Sequence, residues 1–174
     1  MSAVGDRNDY GLPPGDRYRI LTLYRTIAMI GLSSNYYNAS SFAAIYLDAN
    51  GYDIVPVNPV QAGKRPIMQR RVYADLLEAA ASHPNPIEIV DVFRPAHEAT
   101  AIAKQAIEIG AKVLWLQLGV INDEAATMAR EAGLMVVMDR CCKIEHARFF
   151  GGLRTIGLNT GVLTSRLAMR LPEG

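Results

Sequence analysis

The sequence predicts an α/β fold built on a doubly wound parallel sheet of about five strands, and three observations carry the prediction. Short runs rich in Val, Ile and Leu alternate with helical segments from Thr26 to Met138, the pattern of a parallel sheet covered on both faces. The first run ends in a glycine turn, Gly31-Leu32-Ser33-Ser34-Asn35, where a nucleotide-binding βαβ unit places its phosphate loop. Every run has an apolar interior and a polar or permissive end, and ligands of open α/β sheets bind beyond strand ends.

The elements follow in order. Residues 1–15, rich in Gly, Pro, Asp and Asn, read as a flexible tail. Asp16 to Tyr24 reads as a short leading helix with Asp16 as its N-cap. Strand one is expected over about 26–31. A helix follows from Ser40 to Asn50 and stops at Gly51, a natural C′ residue. Strand two covers 53–57. Val60 to Arg71 is a loop with Gly63, Pro66 and four basic residues, and Tyr73 to Ser82 is a short helix. Strand three is Ile87 to Phe93. Pro95 suits a helix start, where its missing N–H costs nothing; that helix ends at Gly110. Lys112 to Leu116 is strand four. Asn122 caps the next helix, with Asp123 and Glu124 in its first turn. Leu134 to Met138 is strand five. Right-handed crossovers then favour a Rossmann-like domain over residues 16–150 with strand order 3-2-1-4-5. Residues 151–174, Gly-rich and then basic, read as a C-terminal extension.

Composition narrows the class of partner. Half of the 174 residues are hydrophobic, enough for one packed domain. Eighteen basic against 17 acidic residues leave a net charge of +1, which argues against nucleic acid or a polybasic membrane contact. No apolar run approaches the roughly 20 residues of a membrane span. The first residues lack the apolar centre of a signal peptide. Cys141 and Cys142 are adjacent, which disfavours a disulfide between them. These features read as a reducing, cytoplasmic setting.

The loop after strand one departs from a nicotinamide-dinucleotide fingerprint. A G-x-G-x-x-G turn would put glycines where Ser33 and Tyr36 stand. Strand two ends in Asn58-Pro59 and not in the acid that holds a ribose in NAD sites. Both differences point to another adenine nucleotide. Gly31, Ser33, Ser34 and Asn35 are the candidate phosphate contacts, with backbone N–H groups at the next helix start. Asn58 and Pro59, then Phe93 and Arg94, then Gln117 and Gly119 stand at the ends of strands two, three and four, which would converge on one crevice. Lys64, Arg65, Arg70 and Arg71 are either a solvated loop or a hold for a peripheral phosphate.

Catalytic and metal chemistry find little support. His83, His97 and His146 show no ligand spacing, and no second Cys pair is present. Cys141 as an activated nucleophile competes with a structural thiol, and His146 reads as a hydrogen-bonded structural residue. No Ser-His-Asp set or carboxylate pair stands out, so no catalytic residue is assigned.

The ordered strand ends have a family likeness. Ile27-Ala28-Met29-Ile30-Gly31-Leu32-Ser33, Val57-Asn58-Pro59, Val90-Asp91-Val92-Phe93-Arg94, Trp115-Leu116-Gln117-Leu118-Gly119, Glu131-Ala132-Gly133-Leu134, Met138-Asp139-Arg140-Cys141, Lys143-Ile144-Glu145-His146 and Gly157-Leu158-Asn159-Thr160-Gly161 together resemble the small bacterial and archaeal CoA-binding domain proteins, relatives of the CoA-binding domain of succinyl-CoA synthetase. The likeness spans about residues 16–165. It implies a small-molecule ligand, coenzyme A or an acyl-CoA. Gly31, Ser33 and Asn35 would then line the phosphate turn, and Asn58 and Pro59 would border the adenosine. Phe93 and Arg94 would lie beside the nucleotide, with Gln117 and Gly119 across the crevice. One departure stands out: Gln69 occupies a place where the family often has glycine, ahead of Arg70-Arg71-Val72-Tyr73. Which basic residue meets the 3′-phosphate stays open. The larger enzymes carry further catalytic domains, so ligase activity does not follow. The expected function is a CoA-binding module without assigned catalysis. The alternatives are an NAD(P)-dependent oxidoreductase and a CoA-dependent acyl-transfer enzyme. Protein partners and homo-oligomer formation stay open.

Overall fold

The computed structural model describes residues 12–151. The remainder of the expected tail, the C-terminal extension and the Gly157–Gly161 segment lie outside the described residues. Among the described residues, β1 (Thr26–Ile30), β2 (Asp53–Val57), β3 (Ile89–Val92), β4 (Val113–Leu116) and β5 (Met135–Val137) form one parallel sheet. The helices are α1 (Pro14–Leu23), α2 (Ala39–Ala49), α3 (Leu76–Ser82), α4 (Ala99–Glu108), α5 (Asp123–Glu131) and α6 (Cys142–Phe150). A 3₁₀ turn, Ala96–Glu98, precedes α4. No helix among the described residues is long and apolar enough to cross a membrane.

The sheet is doubly wound, but its order is β2-β1-β3-β4-β5 and not 3-2-1-4-5. Pro56 gives the physical reason. In the expected order β2 would lie between β3 and β1 and would need hydrogen bonds on both sides; proline has no N–H to give and belongs on an edge. Here β2 is the edge. Its outer side is covered by the segment around Tyr73, whose N–H donates to Pro56 O at 2.9 Å and whose carbonyl accepts from Asn58 N–H at 2.8 Å. The fully buried β3 pairs with β1 and β4 instead. The switch point therefore falls between β1 and β3.

Element limits shift for local reasons. Helix α1 begins at Pro14, with Pro13 as its N-cap, so Asp16 sits in the first turn and does not cap. Helix α3 starts only at Leu76, because Asp75 is extended and its side chain accepts from Glu78 N–H at 2.8 Å. Tyr73 and Ala74 are thereby released to the edge of β2. Asn122 caps α5 as its sequence context suggests, accepting from Ala125 N–H at 2.8 Å.

The two faces of the sheet differ in chemistry. The α3, α4 and α5 face is packed with small and branched apolar residues, among them Ala28, Val90, Leu114, Ala103, Ala106, Ala125 and Ala129. The opposite face, under α1, α2 and α6, holds Met29, Leu47, Trp115 and Cys142 together with buried polar groups. Arg17 and Glu145, each 2% exposed, pair at 2.9 Å and join α1 to α6. Arg148 closes on the other Glu145 oxygen at 3.0 Å. His146 Nδ1 lies 3.0 Å from the Tyr46 hydroxyl, which ties α6 to α2. Burial pushes the His146 imidazole below the ordinary histidine range, in keeping with a neutral structural ring. Tyr52 donates its hydroxyl to Leu21 O.

The Arg17–Glu145 pair is the polar contact on which the α1–α6 layer rests. Glu145→Gln removes a negative partner of a buried guanidinium and should cost about 3 kcal/mol. Arg71→Ala breaks an exposed pair with Glu78 and should cost under about 1 kcal/mol. Urea midpoints of the two variants check the contrast; similar midpoints would show that the buried pair contributes little.

Candidate functional site

Strand β1 is buried along its whole length and delivers its chain end to the switch point. Gly31 N–H donates to Val57 O at 2.8 Å, extending the β1–β2 ladder by one step. There the chain turns at φ +88°, a conformation open to glycine and costly for other residues. Space imposes the same choice. A Cβ on Gly31 would lie 2.7 Å from Arg94 Cδ and 2.9 Å from Phe93 O. The ends of β1 and β3 thus touch through a residue without a side chain.

Residues 33–38 form a loop fastened from within. Asn35 N–H donates to Ser33 Oγ at 3.0 Å and Tyr37 N–H to Asn35 Oδ1 at 3.0 Å. Ser41 Oγ donates to the Ser33 and Asn35 carbonyls, each at 2.8 Å, and Ser33 N–H reaches Ser40 Oγ at 3.2 Å. The side chains of Ser33 and Asn35 therefore shape the loop, and Ser34 is exposed. Asn38, the N-cap residue of α2, makes no side-chain cap. The first N–H groups of α2 open beside this loop, the arrangement that receives anions.

Asn58 is nearly buried, and both ends of its amide are engaged. Nδ2 donates to Leu32 O at 3.0 Å, and Oδ1 accepts from Val60 N–H at 3.0 Å. It ties β2 to the glycine turn, with the exposed Pro59 beyond it. Phe93 and Arg94 are half-buried at the switch point. Arg94 grips Glu98 with two bonds, Nε to Oε2 at 2.9 Å and Nη2 to Oε1 at 2.8 Å. These bonds, with burial opposing them, hold the Glu98 carboxyl below its ordinary range. Gln117 is buried beside β3, and its Nε2 donates to Asp91 Oδ1 at 2.6 Å. Gly119 turns at φ +83° and donates its N–H to Asp139 Oδ1 at 2.7 Å. The structure thus brings Gly31, Ser33, Ser34, Asn35, Asn58, Phe93 and Arg94 to the switch point. It sets Gln117 and Gly119 at the end of β4.

Two features escaped sequence reasoning. Asp91 is a fully buried acid inside an otherwise apolar run, and its Oδ2 has no hydrogen-bond partner. Burial pushes its carboxyl up to about 7, against the lowering bond from Gln117. An acid in the middle of a buried strand was the available signal. The second feature is a tight turn at Met68–Gln69, with φ +52° and +60°. Ile67 and Arg70 exchange both backbone bonds across it, at 3.1 and 2.9 Å. Two consecutive positive φ values mark a type I′ turn, which favours Asn-Gly. Gln69 therefore stands in a conformation that glycine adopts freely, and that is the place where the resembling family often has glycine.

This turn faces the phosphate-loop candidate. Leu32, Ser33, Ser34, Tyr36, Ser41 and Ile45 form one wall of a groove, and Pro66, Ile67 and Met68 form the other. A second groove, lined by Gly63, Lys64, Arg71 and Glu78, shares Pro66 with the first. Arg70 pairs with Asp48 at 2.6 Å and Arg71 with Glu78 at 2.6 Å. Lys64 and Arg65 are exposed and make no ion pair among the described residues. Cys141 is half-buried, Cys142 is buried, and both are free thiols. Burial first, and the Asp91 charge next among the raising effects, lift both thiols above their ordinary range. No cluster of three or more metal-ligating side chains occurs among the described residues.

Comparison with known proteins agrees with this geometry. Residues 25–147 match the model of a family described as a CoA binding domain. An uncharacterised Bacillus subtilis protein, YneT, is 33% identical over 128 residues, which cover 74% of this chain and 90% of YneT. A hypothetical protein from Pyrococcus horikoshii is 36% identical, with a TM-score of 0.75 over 87% of this chain and all of that one. A Thermus thermophilus structure is 29% identical, with a TM-score of 0.73 over 80% of this chain and all of that one.

Gly31→Ala meets both the positive φ and the Arg94 and Phe93 contacts and should cost about 2–4 kcal/mol. Gly110→Ala, at φ +72° with nothing within 4 Å of the added carbon, should cost only about 1 kcal/mol. Thermal denaturation of the pair tests the close approach; equal losses would leave only the backbone angle as the reason for Gly31.

Proposed function

The chain belongs to the CoA binding domain family, and we propose that it is a binding module for coenzyme A or an acyl-CoA. The pyrophosphate docks on the Ser33–Ser34 backbone and the open start of α2. The adenosine lies toward Asn58 and Pro59, and the pantetheine arm crosses the ends of β3 and β4. The observation that carries the reading is the groove between that loop and the Met68–Gln69 turn. One of its walls carries the exposed Ser34 and lies beside the uncapped start of α2. The other leads to Lys64 and Arg65, cations without an ion-pair partner among the described residues.

Asn58 speaks against a nicotinamide dinucleotide. It stands where the ribose acid would be, and both ends of its side chain are engaged by Leu32 and Val60. The acyl-transfer alternative requires a nucleophile, and Cys141 is a poor one. Burial, with the Asp91 charge adding to it, lifts its thiol above the ordinary range, so the thiolate that would attack is scarce.

Thermal shift with CoA, NAD and NADP tests the reading. A ligand at 100 times its dissociation constant adds about 2.7 kcal/mol to stability. CoA should raise the midpoint and the two dinucleotides should not; stabilisation by NAD or NADP alone would overturn the assignment. The basic loop has its own readout. Replacing Lys64 and Arg65 together with Ala should weaken CoA about tenfold and leave dephospho-CoA unchanged, because only CoA carries the 3′-phosphate. Equal weakening of both ligands would remove these two residues from phosphate recognition.

A further inference from the structure

Gln117 is 4% exposed and Asp91 is fully buried, yet both stand at the end of the sheet where the ligand arm would pass. Asp91 is the third residue of β3, in register with Met29 on β1 and Trp115 on β4. Gln117 follows the last residue of β4 and lies two positions beyond Trp115, on the same face of the sheet. Its Nε2 reaches back to Asp91 Oδ1 at 2.6 Å. The amide nitrogen is thus turned toward Asp91 and the amide oxygen away from it. That oxygen has no partner among the described residues. It is also not sealed from solvent, unlike Asp91 Oδ2, the one buried side-chain polar atom left unpaired. Gln117 therefore keeps an acceptor oxygen open at the end of β4.

We propose that Asp91 is a positioning residue that locks the Gln117 amide, so that the crevice reads a hydrogen-bond donor on the ligand arm. Resting on the CoA reading above, the donor is an amide N–H or the hydroxyl of the pantetheine arm. The nucleotide half of the ligand does not reach this pair. The device accounts for a feature that packing alone disfavours: an acid without a cation beside it in an apolar layer of Met29, Trp115 and Cys142. Cys141 and Cys142 are the titratable groups coupled to it from α6, and both thiols are lifted above their ordinary range.

The test measures two ligands by isothermal titration calorimetry, CoA and adenosine 3′,5′-bisphosphate, which is the nucleotide half without the arm. Asp91→Leu, close in size, and Gln117→Leu should each weaken CoA about tenfold and leave the bisphosphate unchanged. The double variant should lose no more than either single one, as expected of residues acting through one contact. Asp91→Asn keeps an acceptor for the amide and should retain CoA affinity within a few-fold of the unsubstituted protein. Unchanged CoA binding in both leucine variants, equal loss of both ligands, or additive losses in the double variant would overturn the proposal while leaving the CoA reading intact. Loss in Asp91→Asn as deep as in Asp91→Leu would do the same. An unsubstituted protein that bound neither ligand would overturn the CoA reading itself, and this inference with it.

Discussion

The close approach of β1 and β3 at Gly31 is the constraint from which the rest of the site follows. With β2 confined to one side of β1 by Pro56 and β3 on the other, the chains leaving β1 and β3 part in opposite directions above the sheet. The crevice at such a parting is where open α/β sheets bind ligands. Here it begins as a contact and not as a gap, since Gly31 leaves no room even for a methyl group against Arg94 and the Phe93 carbonyl. That contact fixes the height of the glycine turn. Asn58 fixes its tilt by holding the Leu32 carbonyl. Loop 33–38 and the start of α2 then have one place to go. The bidentate grip of Glu98 on Arg94 keeps the crowded guanidinium aligned along the side of the crevice.

The division of labour between the two sheet faces follows from the same topology. The α3, α4 and α5 face is alanine-rich and apolar, so its helices pack close to the strands with nothing to satisfy. The other face carries the buried pairs Arg17–Glu145 and Asp91–Gln117 and the half-buried pair Tyr46–His146. Buried polar groups are costly unless paired, and their concentration under α2 and α6 is not required by the core. Two of the pairs hold helices in place and the third joins the C-terminal ends of β3 and β4. The face that supports the phosphate loop is thus the one whose helices are pinned by directional contacts.

Much of this was legible in the sequence, because the signals were local. Val- and Ile-rich runs gave the five strands, Gly51, Gly110 and Gly133 marked turns after helices, and Asn122 announced α5. What failed was non-local. The order of strands depends on which edge tolerates Pro56, and the side on which its missing N–H falls is set by pairing that the local sequence does not specify. Asn58 ends a strand, and spacing does not reveal that its side chain is engaged by Leu32 and Val60 across a turn. Asp91 vanished into an apolar run, although an acid flanked by Val90 and Val92 departs from what a buried parallel strand needs. Gln69 was noticed only as a missing glycine; its left-handed backbone shows what the glycine would have been for.

Helix starts at the ligand end of the sheet complete the argument. Asp75 closes the first turn of α3 and Asn122 that of α5, each with a side-chain oxygen on a backbone N–H, whereas α4 and α6 begin without a side-chain cap. Helix α2 has Asn38 in the corresponding place, a residue able to cap, and the cap is not made. The neighbouring serines are instead engaged with carbonyls and with the N–H of Ser33. A side-chain cap contributes about 1 kcal/mol to a helix, so leaving it unmade weakens the free protein slightly. The compensation is that N–H groups and the positive end of the helix dipole stay available in a loop already held in shape. Under the proposed reading, an anion docking there would meet a loop already held in shape, so less of the ordering cost that usually reduces affinity would remain.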